Sequence, residues 1–164
     1  MGANVAAFTQ AAAAERAAAL RPAVEYAQAL LDLVKAFELV PLWLLLREAI
    51  ALGYPLKILR LSMATYLLER VIRIGKVISK SVWAIRGITA GSGFATTEMR
   101  VILIRIVDKT CKLYPMVTPT LFVDDLAADV TAPAKALTQQ FGGFIETFAE
   151  FISGTGHMLL RQSR

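Results

Sequence analysis

The sequence predicts an α+β fold, with helices packed against a small antiparallel sheet. Three observations carry this. Amphipathic stretches end cleanly at proline or glycine, short β-branched runs flank turn residues, and one apolar run, Leu121-Phe122-Val123, leads directly into the carboxylate pair Asp124-Asp125. Aspartate is a good turn residue, and a tight turn between two strands brings both carboxylates into one neighbourhood.

Taken in order, residues 1–23 read as an Ala-rich lead-in, helical by propensity but weakly patterned. Pro22 can open a helix. From Val24 the apolar density rises, and Ala29-Leu30-Leu31-Asp32-Leu33 fits a helix or a short buried strand equally. The run then delivers Asp32 and is expected to become helical.

Pro41 opens a helix over 42–52, closed by Gly53 and Pro55. A second helix is expected over 56–69, with Leu59, Met63, Tyr66 and Leu67 on its apolar side. Val71-Ile72-Arg73-Ile74, Gly75-Lys76 and Val77-Ile78-Ser79 spell a strand pair around a turn. A glycine loop (Gly87, Gly91, Gly93) precedes a clear helix over 95–114. Its buried face is expected to be Met99, Ile102, Leu103 and Ile106, and its wet face Glu98, Arg105, Lys109 and Lys112.

Pro115 and Pro119 space this helix from the Asp124-Asp125 hairpin. Thr131 to Pro133 turns the chain into a last helix over 134–152, followed by a flexible turn at 153–156 and a strand start at Met158-Leu159-Leu160.

The chain has 164 residues, enough for one domain, here assigned to 24–164. It is 56% hydrophobic, high for a soluble domain, yet no uncharged apolar run reaches the roughly 18 residues of a spanning helix. The net charge of +5 suits a polyanion or an anionic membrane. With one cysteine, Cys111, and one histidine, His157, an internal disulfide and a cysteine-based zinc site are excluded. The glycine loop is neither a Walker P-loop, since no Gly-Lys-Ser/Thr follows, nor a dinucleotide fingerprint, since Thr96 stands at the third glycine position.

Asp32, Asp124 and Asp125 make three carboxylates on two segments. Oxygen ligands of this kind suit Mg²⁺, and three of them on adjacent strands could hold two ions for nucleotidyl transfer. The glycine loop between them opens a helix, whose N-terminus favours phosphate.

The order Asp32-Leu33-x-x-Ala36-Phe37, then Gly87-Ile88-x-x-Gly91-Ser92, then Phe122-Val123-Asp124-Asp125 resembles the palm of a reverse transcriptase of retroelement type. Gly53-Tyr54-Pro55, Tyr66-x-x-x-Arg70 and Gly75 resemble the family's insert between its first two motifs. The resemblance covers about 26–164 and implies an RNA-directed DNA polymerase palm. In it Asp32, Asp124 and Asp125, with the Leu33 carbonyl, surround two Mg²⁺ or Mn²⁺ ions.

It further implies that Phe37 gates the incoming sugar, while Gly87, Gly91 and Ser92 line the nucleotide side. The implied partners are a primed RNA or DNA template and a deoxynucleoside triphosphate. Arg70, Arg73, Lys76 and Arg86 form a basic surface suited to phosphate backbones.

Two departures bear on activity. Ala90 and Gly93 stand where the family has Gln and Pro. Only 31 residues, rich in alanine, precede Asp32, where the family has its fingers, and its thumb would follow Arg164, so complete fingers and a thumb are not expected in this chain. The family comparison therefore implies weak or absent synthesis by the chain alone. An intracellular location is expected. The competing reading is a basic amphipathic helical protein that binds membranes or a partner helix, and a non-catalytic retroelement remnant is a third.

Overall fold

The computed structural model describes residues 3–20, 23–89, 91–155, 159 and 160. The expected roles of Pro22, Ala90, Gly156, His157 and Met158 therefore lie outside the described residues. The fold is α+β: five helices, a three-stranded antiparallel sheet and short strand pairs. The chain divides into two compact units, Met1–Val34 with Leu103–Arg164, and Lys35–Ile102.

The first unit is built on the sheet. β1 (Glu25–Leu31) and β5 (Thr118–Phe122) flank β6 (Asp125–Ala132), all antiparallel. The alternative left open for Ala29-Leu30-Leu31-Asp32-Leu33 thus resolves to strand, with a break at Asp32. Alternation along β6 buries Leu126, Ala128, Val130 and Ala132 on one face and leaves Asp125 and Thr131 exposed on the other. Pro119 sits in the edge strand β5, where a missing N–H costs the ladder least.

Two helices pack on β1 and β6: α1 (Ala3–Ala19) and α5 (Ala134–Gly154). The Ala-rich lead-in is therefore part of the unit, with Ala17 buried. Alanine gives α1 its helicity, and small side chains let it lie close to the sheet. α5 contributes Phe144, Phe148 and Ile152 to the core, its two rings stacked with centroids 6.2 Å apart. Fully burying side chains of this size is worth roughly 1.5–3 kcal/mol each. α5 runs two residues past the expected end, through the first part of the turn assigned to 153–156.

A short pair, β2 (Leu33–Val34) with β7 (Leu159–Leu160), completes the unit. The segment after Asp32 is thus strand and turns rather than helix, and the left-handed Lys35 (φ 48°) breaks any helical continuation.

The second unit holds α2 (Leu42–Ala51), α3 (Leu56–Tyr66), the hairpin β3 (Arg73–Ile74) and β4 (Val77–Ile78), and the first part of α4 (Ala95–Leu113). α3 stops at Tyr66, three residues short of the expected end. Its buried side chains are Leu59, Ser62 and Tyr66, while Leu67 is exposed. The i, i+3, i+7 spacing of those three places them on one face, and a leucine beyond the helix end cannot share it. Residues 81–85 carry no strand, only an isolated bridge of Val82 to Arg70.

One close approach in the first unit can be tested. A Cβ on Gly143 would come 2.7 Å from the Tyr114 Cζ and 2.8 Å from its hydroxyl oxygen, which hydrogen-bonds to Thr147 at 3.0 Å. Gly143→Ala is expected to push the Tyr114 ring aside and lower unfolding free energy by about 1–3 kcal/mol in urea titrations. Unchanged stability would show that the ring moves freely.

Candidate functional site

β5 and β6 are joined by the two-residue turn Val123-Asp124, with Phe122 and Asp125 as the pair that closes it. The hairpin expected at Asp124-Asp125 is therefore present. Val123 adopts φ 60°. A left-handed first central residue belongs to the primed turns that match hairpin twist, but glycine normally occupies it. A β-branched residue there is strained by on the order of 1–3 kcal/mol, a feature that concentrates at functional sites.

The β1–β6 register brings in the third carboxylate. Leu31 pairs with Leu126, so Asp32, the next residue, stands level with Asp125 at the end of the ladder. Asp32 and Asp124 are half-buried and Asp125 is exposed. Leu33, expected to offer its carbonyl, is buried beside Asp32.

The electrostatics agree with this placement. The Asp125 carboxyl is held above the usual carboxylate range, first by partial desolvation and then by the negative charges of Asp124 and Asp32. Asp125 is exposed, so it feels those neighbours through water. Asp129, two ladder steps along the same face of β6, is also raised by desolvation. Its position in an alternating strand was readable in the sequence, but its proximity to the hairpin depends on the register.

These oxygen donors fit a hard divalent cation, whose charge would relieve the repulsion felt by Asp125. They do not form a closed cage. Among the described residues, no three His, Cys, Asp or Glu side chains converge closely enough to hold a metal ion unaided.

Phe37, Gly87, Gly91 and Ser92 belong to the second unit. Two backbone bonds join the Phe37–Val40 turn to the glycine segment's start: the Ile88 N–H donates to the Phe37 carbonyl at 2.8 Å, and the Gly87 N–H to that of Val40 at 2.7 Å. Gly87 is required twice over. Its φ is +93°, and a Cβ would lie 2.9 Å from the Glu38 carbonyl oxygen. Phe37 is half-buried, neither sealed in the core nor free. Ser92 lies just before α4 and accepts the Phe94 N–H through its hydroxyl at 3.4 Å.

The basic residues Arg70, Arg73, Lys76 and Arg86 are all exposed, and every residue of 67–83 is exposed with them. Large apolar side chains share that surface, including Ile72, Ile74, Val77, Ile78 and Trp83.

Glu98 departs from expectation. Assigned to the wet face of α4, it is fully buried and accepts a hydrogen bond from the Tyr66 hydroxyl at 2.5 Å. Burial and this bond push the Tyr66 phenol up to about 12. Two signals were available in the sequence: Glu98 flanks the Met99-Ile102-Leu103 stripe, and Tyr66 carries a phenol that needs a partner on an otherwise apolar face.

No protein-family model matches this chain, and none of the curated proteins matches it. The functional reading therefore rests on the residues themselves.

The Asp125 shift has a definite sign. In the unfolded chain its carboxyl ionises near 3.8, and in the folded chain at a higher value. The folded state holds the proton longer, so stability falls as pH rises from about 3.8 through the folded value. Asp129 acts in the same direction. Asp125→Asn is expected to match the parent chain near pH 3 and to exceed it in denaturant midpoint by a constant amount at about pH 7. A variant less stable than the parent at neutral pH would contradict the repulsion.

Proposed function

We propose that Asp32 and the Asp124-Asp125 hairpin form the metal-ligating centre of a reverse-transcriptase-like palm. The observation that carries this reading is that Asp32 stands level with Asp125 at the mouth of the strained Val123-Asp124 turn. Three motifs in palm order along the sequence support it, and so does the rise in the Asp125 pKa, which comes first from desolvation and then from the charges of Asp124 and Asp32.

In this reading Asp32, Asp124 and Asp125, with the Leu33 carbonyl, hold Mg²⁺ or Mn²⁺. Two such ions, when bound, stabilise the attacking and leaving oxygens of nucleotidyl transfer. The protein's own part is to fix carboxylates on rigid strand ends, so that little reorganisation accompanies the reaction. The reaction is attack of a primer 3′-hydroxyl on the α-phosphorus of a deoxynucleoside triphosphate, with loss of pyrophosphate.

Phe37 would set sugar selectivity through ring contact with a 2′-hydroxyl. Gly87, Gly91 and Ser92 would line the nucleotide side, where backbone can approach closely. Arg70, Arg73, Lys76 and Arg86 would grip the phosphate backbone of a primed RNA or DNA template. Because the carboxylates form no closed cage, weak or absent synthesis by this chain alone belongs to the proposal.

One observation favours the second reading. Exposed Ile74, Val77, Ile78 and Trp83 beside those cations suit an anionic lipid surface as well as a polyanion. That surface does not account for three acidic groups gathered at one sheet end, so the nucleotidyl-transfer reading takes precedence.

Calorimetric titration with Mg²⁺ or Mn²⁺ tests the centre. The parent chain is expected to bind, and an Asp124→Ala, Asp125→Ala double variant to lose at least about tenfold in affinity. Equal binding by both chains would move the ion away from the hairpin and remove the basis of the proposal.

A further inference from the structure

The buried polar groups of the second unit gather around the Tyr66 phenol. Tyr66 donates to Glu98 Oε2 at 2.5 Å, and both side chains are fully buried. The hydroxyls of Ser62 and Ser92 also neighbour the phenol. Ser62 is buried, and two oxygens of the cluster, Ser62 Oγ and Glu98 Oε1, are enclosed without a hydrogen-bond partner.

The Tyr66–Glu98 distance is that of a charge-assisted bond to a carboxylate. No Lys, Arg or His side chain among the described residues pairs with Glu98. A carboxylate sealed from water is costly unless a positive charge or several donors compensate it. Glu98 lies in the first turn of α4, where the helix dipole favours an anion. The dipole still leaves Oε1 without a donor.

We propose that Glu98 Oε1 and Ser62 Oγ, with the Ser92 hydroxyl also near the Tyr66 phenol, hold one small monovalent cation of alkali-metal or ammonium type. All the donors are oxygens, which suits a hard cation. One carboxylate among neutral hydroxyls balances a single positive charge. Ser62 lies one turn before Tyr66 on α3, and Ser92 lies just ahead of α4. The ion therefore ties α3 to the start of α4 and to the glycine loop that leads into it. None of the three hairpin aspartates takes part in this site; Ser92 is the one residue that the proposed function also uses.

Thermal unfolding of the full chain tests the site, in chlorides of sodium, potassium, ammonium and tetramethylammonium at matched ionic strength. At least one small cation is expected to raise Tm over tetramethylammonium, saturably, by about 5 °C at a hundred times its half-saturating concentration. Glu98→Gln is expected to abolish the preference. Ser62→Ala keeps the Tyr66–Glu98 bond and should raise the half-saturating concentration by about tenfold, so it decides the matter if Glu98→Gln does not fold. The Asp124→Ala, Asp125→Ala chain should keep the preference unchanged. Equal melting in all four salts, or a cation preference undiminished in Ser62→Ala, would overturn the site.

Discussion

The first unit depends on the register of β1 against β6. Leu31 opposite Leu126 sends one face of the sheet into the core and carries Asp32 to the level of Asp125. A slip of one residue would turn Leu126, Ala128 and Val130 to solvent and separate the carboxylates together. Hydrophobic burial is the larger force by far. It holds the acidic groups at the sheet end, and the raised Asp125 pKa records first the desolvation of that carboxyl and then the charges of Asp124 and Asp32. The strained Val123 turn stands at the same end. The sheet end thus concentrates negative charge and backbone strain, the two features from which the proposed cation site is argued.

The second unit is held by a different kind of constraint. Gly87 lies against the Glu38 carbonyl, where any side chain would collide, and its amide bonds back to Val40. Tyr66 and Glu98 then bolt α3 to the first turn of α4 through one buried hydrogen bond. The glycine loop leads into that same turn. On the surface, Arg47 pairs with buried Glu48 and covers the exposed Trp43 ring at 5.1 Å, a local arrangement that supports α2.

Much of this was legible where the chemistry is local. Prolines and glycines marked the start of α2 and α3 and the turn of β3–β4, and the Asp-Asp pair marked the β5–β6 turn. Boundaries failed where tertiary packing decides. The end of α3 could not be read because Leu67 and Leu68 are apolar yet exposed, so periodicity overstated the helix. The turn after β2 was hidden because Lys35 adopts a left-handed conformation that nothing in its side chain announces. Glu98 was misplaced for a related reason: charge predicts solvent, and only a partner such as Tyr66, far away in sequence, reverses that. At the candidate site the three aspartates were identifiable as types, but the level of Asp32 with Asp125 follows from a register that alternation along β1 alone does not fix.

The central claim, that divalent cations gather at the Asp32, Asp124 and Asp125 sheet end, is tested most directly by Mn²⁺ paramagnetic relaxation in the isotope-labelled chain. Sub-stoichiometric Mn²⁺ is expected to broaden the backbone amide signals of Leu31 to Leu33 and Phe122 to Leu126 first, leaving Glu25 and Ala132, at the opposite end of the same β1–β6 ladder, sharp. Broadening centred on any other segment, or spread evenly over the surface acids, would contradict the account.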